Sequence, residues 1–531
     1  MLSQIRNIET DVLVIGAGIA GYSAALAAGK TTKTLLVSAS KSFAGSSFYP
    51  MTWGLGAVAP FDGDEEDMIA TIKNIGCQMV DEEVAKTLVY RSHDVLETVN
   101  RRVKLLTPSE SNAQQKEYIP CFDHTHRFWR GLSHDALKDY FSKKEALENV
   151  QVIDHVEVLN ILTEDGKASG VLLYIRQNLV VVRAKSIVIA SGGAGGLFER
   201  KINPMDVLSS VAGMAIVLGV KMVNLEFHQM MLGYKQNDAP VIFNEKVYPY
   251  TLFTDQQGQP IEIHEDWLSS RSTHGPFTSR LISKMVDLTL LQSKQAGKIY
   301  AQLNPTYLSS SSEFVQHYVH WLSKERGIDP YQRHEVDMYY HASNGGIAIT
   351  SDGSTQVQGI FACGEATGGM HGADRLGGFS SVNGLVFGEI AGNSAAEAAR
   401  SIKHVKNIEI QCVWIHQAKE KIEDLQHQFS EFMMVTKQKQ HLDRLQNMIE
   451  SWLNQFVTCD ISEKPLEEIR YSMRLQSLCY HALAMVVASS NRKESRGSFY
   501  RSDYPTECKE AKLQYIYYDK TKIHSEFVIK K

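Results

Sequence analysis

The stretch "DVLVIGAGIAGYSAALAAGK", residues 11–30, decides the fold. Val12 to Ile15 form a short apolar run of the kind that makes a fully buried strand. Gly16-Ala17-Gly18-Ile19-Ala20-Gly21 follows, and then an alanine-rich helix. A strand, a Gly-x-Gly-x-x-Gly turn and a helix make a dinucleotide-binding start. The first glycine allows the tight turn and the second lets backbone approach a pyrophosphate. The third lets helix pack on strand, while the helix N-terminus faces the phosphates. "TKTLLVSAS" (32–40) reads as the second parallel strand of a βαβ unit. An acidic partner for a ribose is expected where that strand ends, but Ser38 stands there.

Outward from this start, residues 83–103 and 134–147 read as helices. Residues 151–189 alternate apolar and polar, a strand-rich meander closed by "SGGAGG" (191–196). From about 235 to 340, polar loops, histidines and prolines replace clean periodicity, which reads as an inserted cap. Short strands resume in "GGIAITSDGSTQVQGIFACGEA" (345–366). Residues 410–455 and 465–490 are amphipathic helices, and the tail from 491 is polar and charged. The expected fold class is α/β: a Rossmann-like domain (1–234 and 342–405), an inserted α+β capping domain (235–341) and a C-terminal helical bundle (406–531).

The bulk numbers narrow the function. Net charge is −5, which gives no reason to expect nucleic acid. No run of 18 apolar residues occurs, so no membrane span is expected. The N-terminus lacks the pattern of a secretory signal. Seven scattered cysteines without Cys-x-x-Cys fit reduced thiols in a cytoplasm better than a disulfide frame or iron–sulfur site. His124 and His126 have no cysteine or acidic partner at metal spacing, so no metal site is expected.

A second strand–glycine unit in "GIFACGEATGG" (359–369) places Gly364-Glu365 at a strand end. That suits FAD, a cofactor that spans two distant parts of a chain. The following stretch, "HGADRLGGFSSVNGLVFGEIAG" (371–392), sets Arg375 before two glycines and the start of an apolar helix. A permanent charge there is costly unless an anion meets it.

"GSSFYPMTWGLGAV", "IVIASGGAGGLF", "NLEFHQ", "GIFACGEATGGMHGADRLGG" and "RKESRGSFYRSDYP" occur in order after the first motif. Over roughly residues 8–505 the chain resembles the flavoprotein family of succinate dehydrogenase, fumarate reductase and L-aspartate oxidase, and its ending is closest to the oxidase and the dehydrogenase. The resemblance implies an FAD domain, a mobile cap and a helical bundle that "KESRG" braces. It puts Gly16, Gly18, Gly21, Glu365, Ser380 and Ser381 at FAD contacts, and we count Ala20, Ser38, Ser46, Ser47, Gly192, Gly193 and Arg375 with them. Ser46 falls where the dehydrogenases carry the histidine bonded to flavin, which implies non-covalent FAD. Arg375 matches the arginine that clamps the substrate carboxylate, and His341 a substrate-binding histidine. Arg280 lies near the cap arginine that serves as general acid or base, and Glu245 is retained from the cap motif. Met231 replaces a substrate histidine, and Tyr248, Pro249 and Tyr250 replace groups that would hold the far carboxylate of a dicarboxylate.

The leading expectation is an FAD enzyme that oxidises the Cα of an amino acid or related carboxylic acid, with oxygen or another acceptor taking the electrons. A C=C reductase using Arg280, and an electron-transfer subunit with an iron–sulfur partner, remain open.

Overall fold

The computed structural model describes residues 6–109, 119–143, 147–308, 311–401 and 410–529. Strand Arg6–Ile15 lies inside a sheet whose strands follow the order 150–153, 34–37, 6–15, 178–189, 167–175 and 156–164. The first three and 178–189 are parallel, and the last two turn antiparallel. Strand Ile360–Ala362 pairs in parallel with the end of 178–189, which brings the second glycine unit beside the first. Val12, Leu13 and Val14 are fully buried, as a strand covered on both faces requires.

Helix Ile19–Gly29 packs on the long helix Phe379–Ser401. A side chain at Gly392 would put Cβ 2.2 Å from the carbonyl oxygen of Ala24, and one at Gly388 would put it 2.7 Å from that of Ala20. Glycine is therefore what lets the two helices approach closely and hold the two halves of the domain together.

The cap has its own core and a five-stranded antiparallel sheet in the order 241–242, 228–234, 334–343, 299–303 and 251–255. Its sheet starts at His228, ahead of the expected boundary at 235, and runs to Ser343, past 341. The reason is pairing: His228–Tyr234 and His334–Ser343 carry the chain out and back as neighbours, before the composition changes.

Helices Ala418–Phe432, Lys439–Leu453 and Leu466–Asn491 form the C-terminal bundle. The expectation of a helical domain through 531 needs correction. Strands Leu513–Tyr518 and Ile523–Val528 form a hairpin added to the sheet of 222–223, 346–348 and 367–368. Leu513 and Ile516 point apolar side chains into that contact, and the Asp519 carboxylate accepts the Thr521 and Lys522 amides to close the turn. The expected boundary at 405/406 lies outside the described residues. Among the described residues no helix is long and apolar enough to cross a membrane.

Candidate active site

Two clefts meet where the glycine turn, the 46–47 segment and Glu365 converge. The first, with about 890 Å³ of open space, is lined by Gly16, Gly18, Ala20, Ser38, Ser46, Ser47, Gly192 and Glu365. The second, with about 1440 Å³, shares Ala20, Ser46, Ser47 and Glu365, and adds Glu245, His341, Arg375, Ser380 and Ser381.

The first cleft is made by backbone. Gly16 has φ +108°, and a Cβ there would stand 2.3 Å from the Ala190 carbonyl oxygen. At Gly21 a Cβ would stand 1.7 Å from the Gly16 carbonyl oxygen, so this glycine seals helix onto turn and does not line the cleft. Gly193 is likewise behind the wall: its Cα abuts Glu365, whose carboxylate a Cβ would meet at 2.4 Å. The N-cap of helix Ile19–Gly29 is Gly18, which has no side chain of its own to cap the first turn. The Ile19 amide donates to the Ser47 hydroxyl at 3.3 Å. A helix start of this kind, opening on a groove that small residues line, fits the pyrophosphate of a dinucleotide.

Ser38 does line this cleft, but as a hydroxyl it cannot act as the expected acid. The acid at the wall is Asp206. Its Oδ2 accepts the Ser40 hydroxyl (2.6 Å) and the Gly45 amide (3.0 Å), while Oδ1 is buried with no protein partner. Sequence reading missed it because "NPMD" (203–206) carries no motif and lies far from strand 34–37. Only the fold brings them together.

The second cleft is made by side chains. Arg375 donates from Nη2 to the Gln229 Oε1 at 2.7 Å, while its Nε is buried without a partner. Burial pulls its pKa down from the ordinary arginine value, with Glu365 opposing. Burial, and secondarily the Arg375 charge, holds His341 down to about 3 and His371 well below its ordinary value. Both histidines are thus neutral near pH 7, and the Nδ1 of each is buried and unpartnered. Gln229 and His371 went unassigned in the sequence although both lie inside quoted motifs. Their types are too common to single out without the geometry. Asn203 was missed too. Its amide donates to the Ser46 hydroxyl (3.0 Å) and the His341 carbonyl (3.1 Å), fixing one to the other. Glu365 accepts the Ser343 amide at 3.0 Å, and burial raises its carboxyl.

Of the four expected catalytic residues, Arg375, His341 and Glu245 come together in this cleft, with Met231 at its wall. Arg280 does not line it. Its Nε stands 3.3 Å from Asp374, its guanidinium lies 5.3 Å from the centre of the Phe122 ring, and Thr278 donates to the same carboxylate at 2.7 Å. Burial pushes Asp374 up to about 7, against the pull of Arg280. Tyr248 packs into the cap core beside Phe243 and Arg271 and supplies no group to the cleft. The "KESRG" segment, expected to brace the helical bundle, also ties to this region. Gly497 accepts the Ser279 amide (2.7 Å) on the cap side, and the Ser498 amide donates to the Ala373 carbonyl (3.2 Å) beside Arg375. Buried pairs Arg492–Glu226 and Arg496–Glu494 anchor it.

The comparisons with known proteins agree with this geometry. An FAD binding domain family matches residues 11–381, and a fumarate reductase flavoprotein C-terminal family matches residues 422–528. A fumarate reductase (CoM/CoB) of Methanothermobacter marburgensis is 24% identical in one of its chains, covering 94% of this chain and 95% of that one. An L-aspartate oxidase of Halobacterium salinarum is 28% identical, over 73% of this chain and 75% of that one. Among solved structures, Mycobacterium smegmatis Sdh1 matches with a TM-score of 0.80 at 18% identity, covering 99% of this chain and 94% of that one. A structure of E. coli quinol fumarate reductase FrdA matches with a TM-score of 0.76 at 19% identity, covering 98% and 97%. At those identities the likeness is one of fold.

Proposed function

Because the chain belongs to the FAD-dependent oxidoreductases of the succinate dehydrogenase and fumarate reductase flavoprotein family, we propose that it oxidises the Cα of an amino acid or related carboxylic acid held by Arg375. One observation carries this reading: a half-buried guanidinium at the second cleft whose Nε is buried without a partner, one neutral acceptor in Gln229 and two neutral histidines beside it. Glu365 faces this charge without a hydrogen bond to it among the described residues, and a planar substrate carboxylate matches the fork. FAD, when bound, supplies the acceptor for a hydride and passes the electrons to oxygen or another acceptor. The chain's own residues orient the substrate. Gln229 fixes the Arg375 fork, Asn203 fixes the His341 backbone to Ser46, and neutral His341 offers a hydrogen-bond partner that does not repel the arginine.

The reductase reading is less favoured, since Arg280 is engaged by Asp374 outside the cleft lining. An iron–sulfur partner is compatible with the fumarate reductase and Sdh1 likeness. We further propose that FAD is non-covalent, because Ser46 stands where a bonded histidine would be. The free cysteines support a reducing, cytoplasmic setting. Acid precipitation should release the flavin into the supernatant. Flavin retained in the pellet would overturn the non-covalent assignment.

The test of the substrate class is anaerobic bleaching of the bound flavin by a panel of amino and hydroxy acids, each beside its carboxamide. Bleaching by acids and not by their amides is expected. Equal bleaching by both would remove the carboxylate from the account.

A further inference from the structure

Resting on the Arg375 carboxylate reading, we propose that the substrate also carries an amine, separate from the carboxylate end, and that Glu245 binds it. Glu245 is 7% exposed and lines the second cleft. Its Oε1 accepts the Cys121 thiol at 3.3 Å, a weak donor. Among the described residues no lysine or arginine forms an ion pair with it. Burial, followed by Glu245 itself, pushes the Cys121 thiol up to about 12, so the thiol keeps its proton and cannot add a second negative charge. Arg271, the nearby buried cation, is committed to Asp287 (2.9 Å) and the His274 carbonyl (2.6 Å). The one side-chain hydrogen bond found for this carboxylate is thus from a weak thiol donor, at a cavity wall where a ligand donor can reach it.

A second feature points the same way. The cleft opens into an outer chamber, and Glu245, Cys121 and Trp53 line both. The Trp53 ring is fixed edge-on between Phe314 (4.6 Å) and Tyr318 (5.5 Å). An indole and a buried carboxylate on the wall of one chamber are both groups that attract an ammonium. The opposing features are two. Lys246 lines the outer chamber, and Met231 at the cleft wall offers no charge. Glu245 and Lys246 both line the outer chamber, so a second carboxylate there would meet the Glu245 charge as well as the Lys246 charge. The site thus selects a zwitterion with separated ends over a dicarboxylate.

The experiment uses the FAD-loaded full chain and three pairs of probes: succinate with 4-aminobutanoate, glutarate with 5-aminopentanoate, and adipate with 6-aminohexanoate. Dissociation constants come from the change in flavin absorbance. The expected result is an amino acid at least tenfold tighter than its dicarboxylate partner in one or more pairs, with the best pair giving the spacing. Glu245→Gln should erase the preference, and Glu245→Asp should keep part of it. Arg375→Lys should weaken both series alike. Tighter dicarboxylates, or a preference that survives Glu245→Gln, would overturn the amine assignment while a shared loss in Arg375→Lys leaves the carboxylate reading intact. Failure of all six probes to perturb the flavin would overturn both.

Discussion

The two clefts share Ile19, Ala20, Ser46, Ser47 and Glu365, yet they are built from different material. The first is shaped largely by glycines, small residues and main-chain groups, with Gly16 leaving no room for a side chain. The second is shaped by Arg375, Gln229, His341, His371 and Glu245, whose side chains reach it from the FAD domain and the cap. A backbone-built site can serve a fixed ligand only. A site built by side chains can change its ligand by substitution without disturbing the fold. The difference fits an intact glycine turn beside a second cleft where Met231 stands at the place the family resemblance gives a histidine.

The contrast breaks first at Gly21. Gly21→Val would drive Cβ to within 1.7 Å of the Gly16 carbonyl oxygen, and the backbone must move. Total loss of bound flavin, with a large loss of folded protein, is expected in the flavin-to-protein ratio and in yield. Wild-type flavin content in this variant would mean that the turn is not shaped by close packing.

On the side-chain side, Gln229→Leu should leave flavin content unchanged. It removes the acceptor of the Arg375 Nη2 and should cost about 1–3 kcal/mol of stability, the range for a buried donor left unmet. A denaturation midpoint equal to wild type would show that the arginine finds another acceptor.

A smaller effect sharpens where the cap meets the rest. His228 reaches from the first cap strand to the Met433 carbonyl at 2.9 Å, and burial holds it down to about 3. Its folded pKa lies below the ordinary 6.5, so the folded state binds fewer protons between those values. Its contribution is fully present above about 6.5 and is lost as pH falls toward 3. At pH 5.5 this one histidine should cost about 1 kcal/mol relative to pH 7.5. His228→Gln, which can still donate to Met433, should show a flatter stability profile over that interval. A slope as steep as wild type would place the acid sensitivity elsewhere, with His341 or His481 the next groups to test.

How much of this was legible in the sequence follows the same division. The glycine turn, the meander and the Gly364-Glu365 strand end are local patterns, and each landed where its pattern placed it. Arg375 was legible because a charge beside an apolar helix demands a reason. Asp206, Gln229 and Asn203 were not, since each gains its role from a partner that only the fold supplies. Arg280 illustrates the converse. Its position in the chain matched an expectation, but the pull of Asp374 holds its side chain outside the cleft lining. The C-terminal hairpin was hidden by its polar outer face, because only one side of it meets the sheet.

The claim that Arg375 holds a carboxylate beside the cofactor is tested most directly by turnover per bound flavin in Arg375→Lys, with an acid that bleaches the wild-type flavin. Lysine keeps the charge and loses the two-pronged fork. The account predicts flavin content close to wild type and a rate per flavin about 100-fold lower, the scale of a substrate displaced by about 1 Å. A rate per flavin equal to wild type, with or without loss of cofactor, would contradict it.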